Sequence, residues 1–167
     1  MIELKPFRRQ DAKEIVKWIR DEEEFRLWSG NTFKVYPIQW KDLADHYEKL
    51  SKDGTCIPMC AWDQDGIFGH FFLKFLDPEK KHMRIGFIIV DDYCRGLGYG
   101  KVMVQKAMEY AFLELGIEDV TLGVFEQNEA AYQCYLTVGF EPNSERGIEE
   151  EPMGTKVWRR HELIMTR

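Results

Sequence analysis

No apolar run in the 167-residue chain approaches the roughly 18 residues that a membrane-spanning helix needs. The opening stretch, MIELKPFRRQDAKE, lacks the apolar core of a signal peptide. Both absences point to the cytoplasm and away from a membrane partner. Repeats, low-complexity tracts and a linker are missing as well. The length fits one domain, residues 1–167, able to bury a core without metal or disulfides. An excess of basic charge is also absent: 23 Lys and Arg stand against 29 Asp and Glu. The net charge of −6 lacks the footprint of a nucleic-acid binder. It is compatible with a cationic small molecule or a basic peptide as partner, or simply with solubility. Cysteine is scarce. Cys56 and Cys60 form a CxxxC pair, but no second pair completes a tetrahedral metal site, so no metal is expected. Reduced, buried thiols are the simpler reading.

The residues that are present alternate between two periods. IELKPF reads as a first strand. Asp11 and Glu14 resemble a capping box opening a helix, with Ala12, Ile15, Val16 and Ile19 on one face. The acidic run Asp21 to Glu24 and the stretch WSGN are expected to break it. A second helix follows near Trp40, with Leu43, Tyr47 and Leu50 as its stripe. Residues 57–76 read as two strands joined at DQDG, and MRIGFIIV as a central strand apolar on both faces at its end. Val104, Ala107, Met108, Ala111 and Leu115 mark a long helix stopped at Gly116. DVTLGVF is a strand, residues 128–140 a helix from Asn128 to Gly139, and KVWRRHELIMTR a closing strand or hairpin. Interleaved strands and helices give an α/β or α+β class.

Between the central strand and the long helix lies VDDYCRGLGYGK, with Gly96, Gly98 and Gly100 alternating. The first amides of a helix lack internal partners and carry the positive end of its dipole, so such a loop suits phosphate. Arg95 and Lys101 add positive charge to an acidic protein. A tight turn that merely needs glycine is the alternative. The spacing excludes two better-known phosphate loops. A P-loop needs glycine where Arg95 stands and Ser or Thr where Val102 stands. The dinucleotide pattern GxGxxG needs glycine at Lys101 or Met103.

The pattern that fits is R-x-x-G-x-G, as Arg95, Gly98 and Gly100. It resembles the pyrophosphate loop of the GNAT superfamily of N-acetyltransferases. The likeness runs over residues 84–140, within a cofactor core of about 82–140. It includes a late segment N-x-x-A-x-x-x-Y-x-x-x-G-F at Asn128, Ala131, Tyr135, Gly139 and Phe140. The resemblance implies a mixed, mostly antiparallel twisted sheet flanked by helices. It implies acetyl-CoA as cofactor and acetyl transfer to a primary amine of a small molecule or a peptide N-terminus. A homodimer is compatible with the family.

By the same resemblance, the pyrophosphate would lie on the amides of Arg95, Gly96, Leu97, Gly98, Tyr99, Gly100 and Lys101. The pantetheine arm would pair with Ile88, Ile89 and Val90 where neighbouring strands splay apart, a ligand-borne form of strand addition. Asn128 would contact that arm with Ala131, or cap the next helix. Tyr135 stands where the family has its general acid, though its helix position alone also suits a core tyrosine. The departure is at the base. Arg84 replaces the glutamate that many relatives carry, and arginine cannot accept a proton. Glu126 or a water chain would have to serve, while Arg84 would bind an acidic group on the acceptor or end the strand in solvent. Phe25, Trp28 and Tyr36 would line the acceptor site, with Glu22 to Glu24 attracting a cation; otherwise the aromatics are core and the acids a solvated face. A coenzyme A-binding sensor without turnover, or an enzyme using a longer acyl-CoA, are the alternatives.

Overall fold

The computed structural model describes residues 1–167. In chain order the elements are β1 (Glu3–Pro6), α1 (Ala12–Ile15), α2 (Glu22–Ser29), α3 (Trp40–Leu50), β2 (Cys56–Asp63), β3 (Gly66–Phe75) and β4 (His82–Val90). There follow α4 (Tyr99–Glu109), β5 (Asp119–Phe125), α5 (Glu129–Val138), β6 (Glu141–Pro142), β7 (Ile148–Met153) and β8 (Lys156–Thr166). The strands form one sheet ordered β1-β2-β3-β4-β5-β8-β6, with β7 paired to β8. Every pairing is antiparallel except β4 with β5. This is the mixed, mostly antiparallel sheet expected from the sequence.

The N-terminal helices differ from the expectation. No continuous helix opens at Asp11. Instead α1 is a single turn flanked by 3₁₀ turns at Arg9–Asp11 and Val16–Trp18. The buried Asp11 carboxylate accepts the Arg8 backbone N–H at 2.8 Å, so it closes that turn rather than starting a longer helix. The acidic run does not break a helix but begins one. Asp21 caps α2 by accepting from the Glu24 N–H at 2.8 Å, and three glutamates in the first turn complement the helix dipole.

The alternation of apolar residues builds two cores, one on each face of the sheet. Met83 and Ile85 of β4, Val120, Leu122 and Val124 of β5, and Leu163 of β8 pack under α4 and α5. The opposite face carries Ile15, Phe25, Leu43 and Tyr47 from the N-terminal helices. Two irregularities in β4 govern what happens between these layers. First, its parallel pairing with β5 covers only His82 to Arg84, so beyond Arg84 the strands diverge. Second, a bulge against β3 inserts an extra β4 residue, and Phe87 takes a φ of 51°. The bulge reverses the alternation: Phe87 and Ile89 pack with the N-terminal layer, whereas Ile88 and Val90 contact the α4 side.

One buried polar link pins α3 to the sheet. His70 is fully buried; its Nδ1 lies 2.8 Å from the Met59 carbonyl and its Nε2 2.6 Å from the Tyr47 hydroxyl. A carbonyl only accepts, so Nδ1 carries the proton and Nε2 accepts from Tyr47. Burial holds the His70 pKa down to about 3, against weaker opposing effects of the Met59 carbonyl and Asp11. In the unfolded chain the imidazole takes up its proton near pH 6.5. The folded state is therefore fully favoured above that pH and loses stability as the pH falls toward 3, by about 1.4 kcal/mol per unit for this one proton. His46, lowered mainly by burial, acts in the same direction, and His82, raised by Asp119, in the opposite one. We expect His70→Gln, which retains a donor and an acceptor, to flatten the dependence of Tm on pH between 6.5 and 5 relative to wild type. Identical slopes would remove His70 from the acid sensitivity.

Candidate functional site

The glycine loop connects β4 to α4 through one 3₁₀ turn, Asp92–Cys94, anchored by the Asp91 carboxylate on the Tyr93 N–H at 3.0 Å. Gly96 and Gly98 adopt φ values of 76° and 86°, which a side chain disfavours. Gly98 directly precedes α4, and the first helical bond is Val102 N–H to the Gly98 carbonyl at 3.2 Å. The amides of Tyr99, Gly100 and Lys101 are thus left without helical partners, at the positive end of the helix. Lys101 lines the same opening.

The divergence of β4 from β5 leaves a cleft of about 770 Å³ between them, continuous with the glycine loop and floored by α5. Its size falls in the usual range for a small-molecule site. Ile88, Ile89, Val90, Arg95, Gly96, Gly98, Gly100, Lys101, Asn128, Ala131, Tyr135 and Trp28 all line it. Beyond Arg84, the β4 edge that faces β5 has no strand partner there, so its backbone can receive an extended ligand. The Asn128 side chain does not cap α5, although the residue occupies the N-cap position, and it remains available to the cleft. Tyr135 is 8% exposed, and burial raises its pKa well above that of a free phenol. It keeps its proton at any working pH, and the residue lines the cleft.

Other predicted residues are placed elsewhere, each for a visible reason. The Leu97 side chain is exposed and does not line the cleft. The Tyr99 ring turns back onto Phe68, edge to face at 4.9 Å, while its amide stays at the N-terminus of α4. Phe25 is fully buried in the N-terminal core, with Tyr36 packed on it at 5.4 Å, so these two rings are structural. Glu126 is half exposed beside Arg159 and His161, at 3.6 and 3.9 Å, and outside the cleft. Arg84 is not a solvated strand end. Its Nη2 lies 3.1 and 3.0 Å from the two carboxylate oxygens of Glu162, which is 1% exposed. Arg95 lines the cleft, but its guanidinium is engaged by the Glu24 carboxylate and the carbonyls of Trp18, at 2.7 Å, and Val90, at 3.3 Å. It ties the loop to the N-terminal layer.

Several cleft residues escaped the sequence reading. Ala130, Gln133, Cys134 and Thr137 line it from one stripe of α5, a helical spacing that was legible. Gly123, inside β5, was legible as a close approach. Phe87 was not, because its position depends on the bulge. The arrangement brings the free amides of the α4 N-terminus, an unpaired strand edge and a buried tyrosine onto one cleft. No helix is long and apolar enough to cross a membrane.

Comparison with known proteins gives a consistent result. Residues 13–140 match the model of the acetyltransferase (GNAT) family. A curated relative, the uncharacterized N-acetyltransferase YoaA of Bacillus subtilis, is 27% identical over 79 residues. That alignment spans 47% of this chain and 44% of the relative. The spermidine N-acetyltransferase of Vibrio cholerae, solved with CoA and spermine, superposes with a TM-score of 0.82 at 17% identity, over 99% of this chain and 95% of that one. A chimera of the Vibrio cholerae spermidine N-acetyltransferase SpeG and hSSAT gives 0.80 at 18% identity, with the same coverage.

Proposed function

This chain belongs to the GNAT acetyltransferase family and is an acyltransferase enzyme, and from that premise we propose that it carries an acetyl group from acetyl-CoA to the primary amine of a small molecule or a peptide N-terminus. The observation that best supports this is the convergence of the glycine loop, the unpaired β4 edge and Tyr135 on one cleft. The residues fit the donor. The α4 amides and Lys101 would hold the pyrophosphate, and the backbone of Ile88 to Val90, with Asn128 and Ala131, would hold the pantetheine arm. Acetyl-CoA, when bound, supplies an activated thioester.

The chain itself has three tasks. It aligns the two reactants, which alone removes much of the barrier. It keeps water out through the apolar walls of Ile85, Leu27 and Trp28. It delivers the Tyr135 proton to the departing thiolate. The amine is proposed to react in its neutral form. The one carboxylate lining the cleft is Glu24, and Arg95 holds it while Arg20 lies 4.0 Å away. Glu126 does not line the cleft and sits beside Arg159 and His161, so it is not proposed as the base. The four free thiols fit a reducing compartment, and the cytoplasm is proposed on that ground.

Thermal unfolding with acetyl-CoA at about 100 times its Kd should show roughly 2.7 kcal/mol of added stability. Amine-dependent release of thiol should then follow in a steady-state assay. Without the stabilisation the cofactor reading fails. Stabilisation without turnover on any amine would leave a coenzyme A-binding module.

A further inference from the structure

Resting on the proposed acetyl transfer, we infer that the acceptor is a primary monoamine carried on an apolar, preferably aromatic, body, and not a polyamine. Trp28 and Phe87 pack with the N-terminal layer and also line the cleft, so the acceptor is placed on the sheet face opposite α4 and α5, where β4 and β5 begin to part. Arg84, Gly123 and Glu162 occupy that face, alternating with the core residues Met83, Leu122 and Leu163. Gly123 lines the cleft, and a Cβ built on it would meet Arg84 Nη2 and Glu162 Oε2 at 2.7 Å each. The charges behind the cleft wall are therefore those of this pair.

They are fully balanced. Glu162 takes Arg84 at 3.0 Å and Arg146 at 2.9 Å. Glu149 takes Arg146 and Arg160, each at 2.8 Å, and Glu151 takes Arg160 at 2.8 Å. Three glutamates face three arginines. Glu24, within the cleft, is held by Arg95. A polyamine would bring further ammonium groups to a cleft whose one lining carboxylate, Glu24, is already held by Arg95, with Glu162 behind it held by Arg84 and Arg146. Desolvating an unpaired ammonium there is costly.

An apolar body meets the opposite situation. Leu27, Trp28 and Phe87 line the cleft on this side. The Trp28 Nε1–H donates to the Phe87 carbonyl at 2.9 Å, so its one polar group is satisfied and the ring offers only carbon. Phe33 stacks on Trp28 at 6.1 Å and Phe87 tilts against it at 5.0 Å, which fixes the ring's orientation. A flat hydrophobic group gains burial and aromatic contact here.

The test compares 2-phenylethylamine with spermidine in a thiol-release assay on the full chain, alongside thermal unfolding with acetyl-CoA. The expected result is a kcat/KM for 2-phenylethylamine at least about tenfold above that for spermidine. Trp28→Ala should lower the first value about tenfold, mainly through KM, with the acetyl-CoA stabilisation intact. Leu27→Glu, which adds an unpaired carboxylate to the wall, should shift the ratio about tenfold toward spermidine. A preference of the wild type for spermidine overturns the inference. So does turnover of neither amine by a protein that acetyl-CoA stabilises. Absence of that stabilisation overturns the acetyl-transfer reading itself, and this inference with it.

Discussion

Replacing Tyr135 with Phe lowers kcat for acetyl transfer by about 10² to 10⁴-fold, the usual contribution of a positioned proton donor, and leaves cofactor binding in place. The substitution removes one oxygen from a ring whose body packs near Phe140 and the apolar core under α5. Packing is conserved, so Tm should stay close to that of wild type. Burial raises the phenol pKa, so the wild-type donor stays protonated across the working range and the loss should not depend on pH in the neutral region. The measurement is kcat on any accepted amine together with the acetyl-CoA-induced shift in Tm. A normal shift with a collapsed kcat assigns the proton to Tyr135. Wild-type kcat in the variant would remove it from the mechanism and leave it as a core residue.

Gly98→Asp should abolish cofactor binding. Gly98 sits at the N-cap of α4 with a φ of 86°, and a Cβ there meets nothing within 4 Å, because it points into open space. Aspartate tolerates this backbone region better than most residues, so the loop can form at a modest cost in strain. Its carboxylate then occupies the place where the α4 amides would receive phosphate, and repels the ligand as well. The protein remains folded, yet acetyl-CoA no longer raises its Tm at a concentration that adds about 2.7 kcal/mol to the wild type. Gly98→Ala separates the two effects, since it introduces the backbone strain without the charge. It should weaken binding far less. An unchanged acetyl-CoA shift in the aspartate variant would sink the assignment of the loop.

Much of the cleft was legible because its parts are local in sequence. The glycine spacing, the helix that follows it, and the Asn128-to-Phe140 segment each depend on contacts within a turn or a single helix. The strand DVTLGVF was equally readable, and so was the central strand before the loop. The misreadings have a common origin. Phe25 and Tyr36 are aromatic residues of the N-terminal segment, and whether such a ring lines a cavity or fills a core depends on which segment packs over it. Glu126 follows β5 closely, but pairing with β8 turns it toward Arg159 and His161. Arg84 looked like a solvated strand end because its partner, Glu162, stands 78 positions later.

The sequence by itself determined the alternation of strands and helices, the glycine turn ahead of α4, and the family-like order of glycine loop and late tyrosine. Hydrophobic period and glycine conformation act over a few residues, and those are the distances at which a chain constrains itself without tertiary help. Only the tertiary structure decided where β4 parts from β5, which way Phe87 turns after its bulge, and how three glutamates and three arginines pair with one another across β4, β7 and β8. These features arise from pairings between segments far apart in the chain. A buried carboxylate such as Glu162 is tolerable only once folding has brought Arg84 and Arg146 to it.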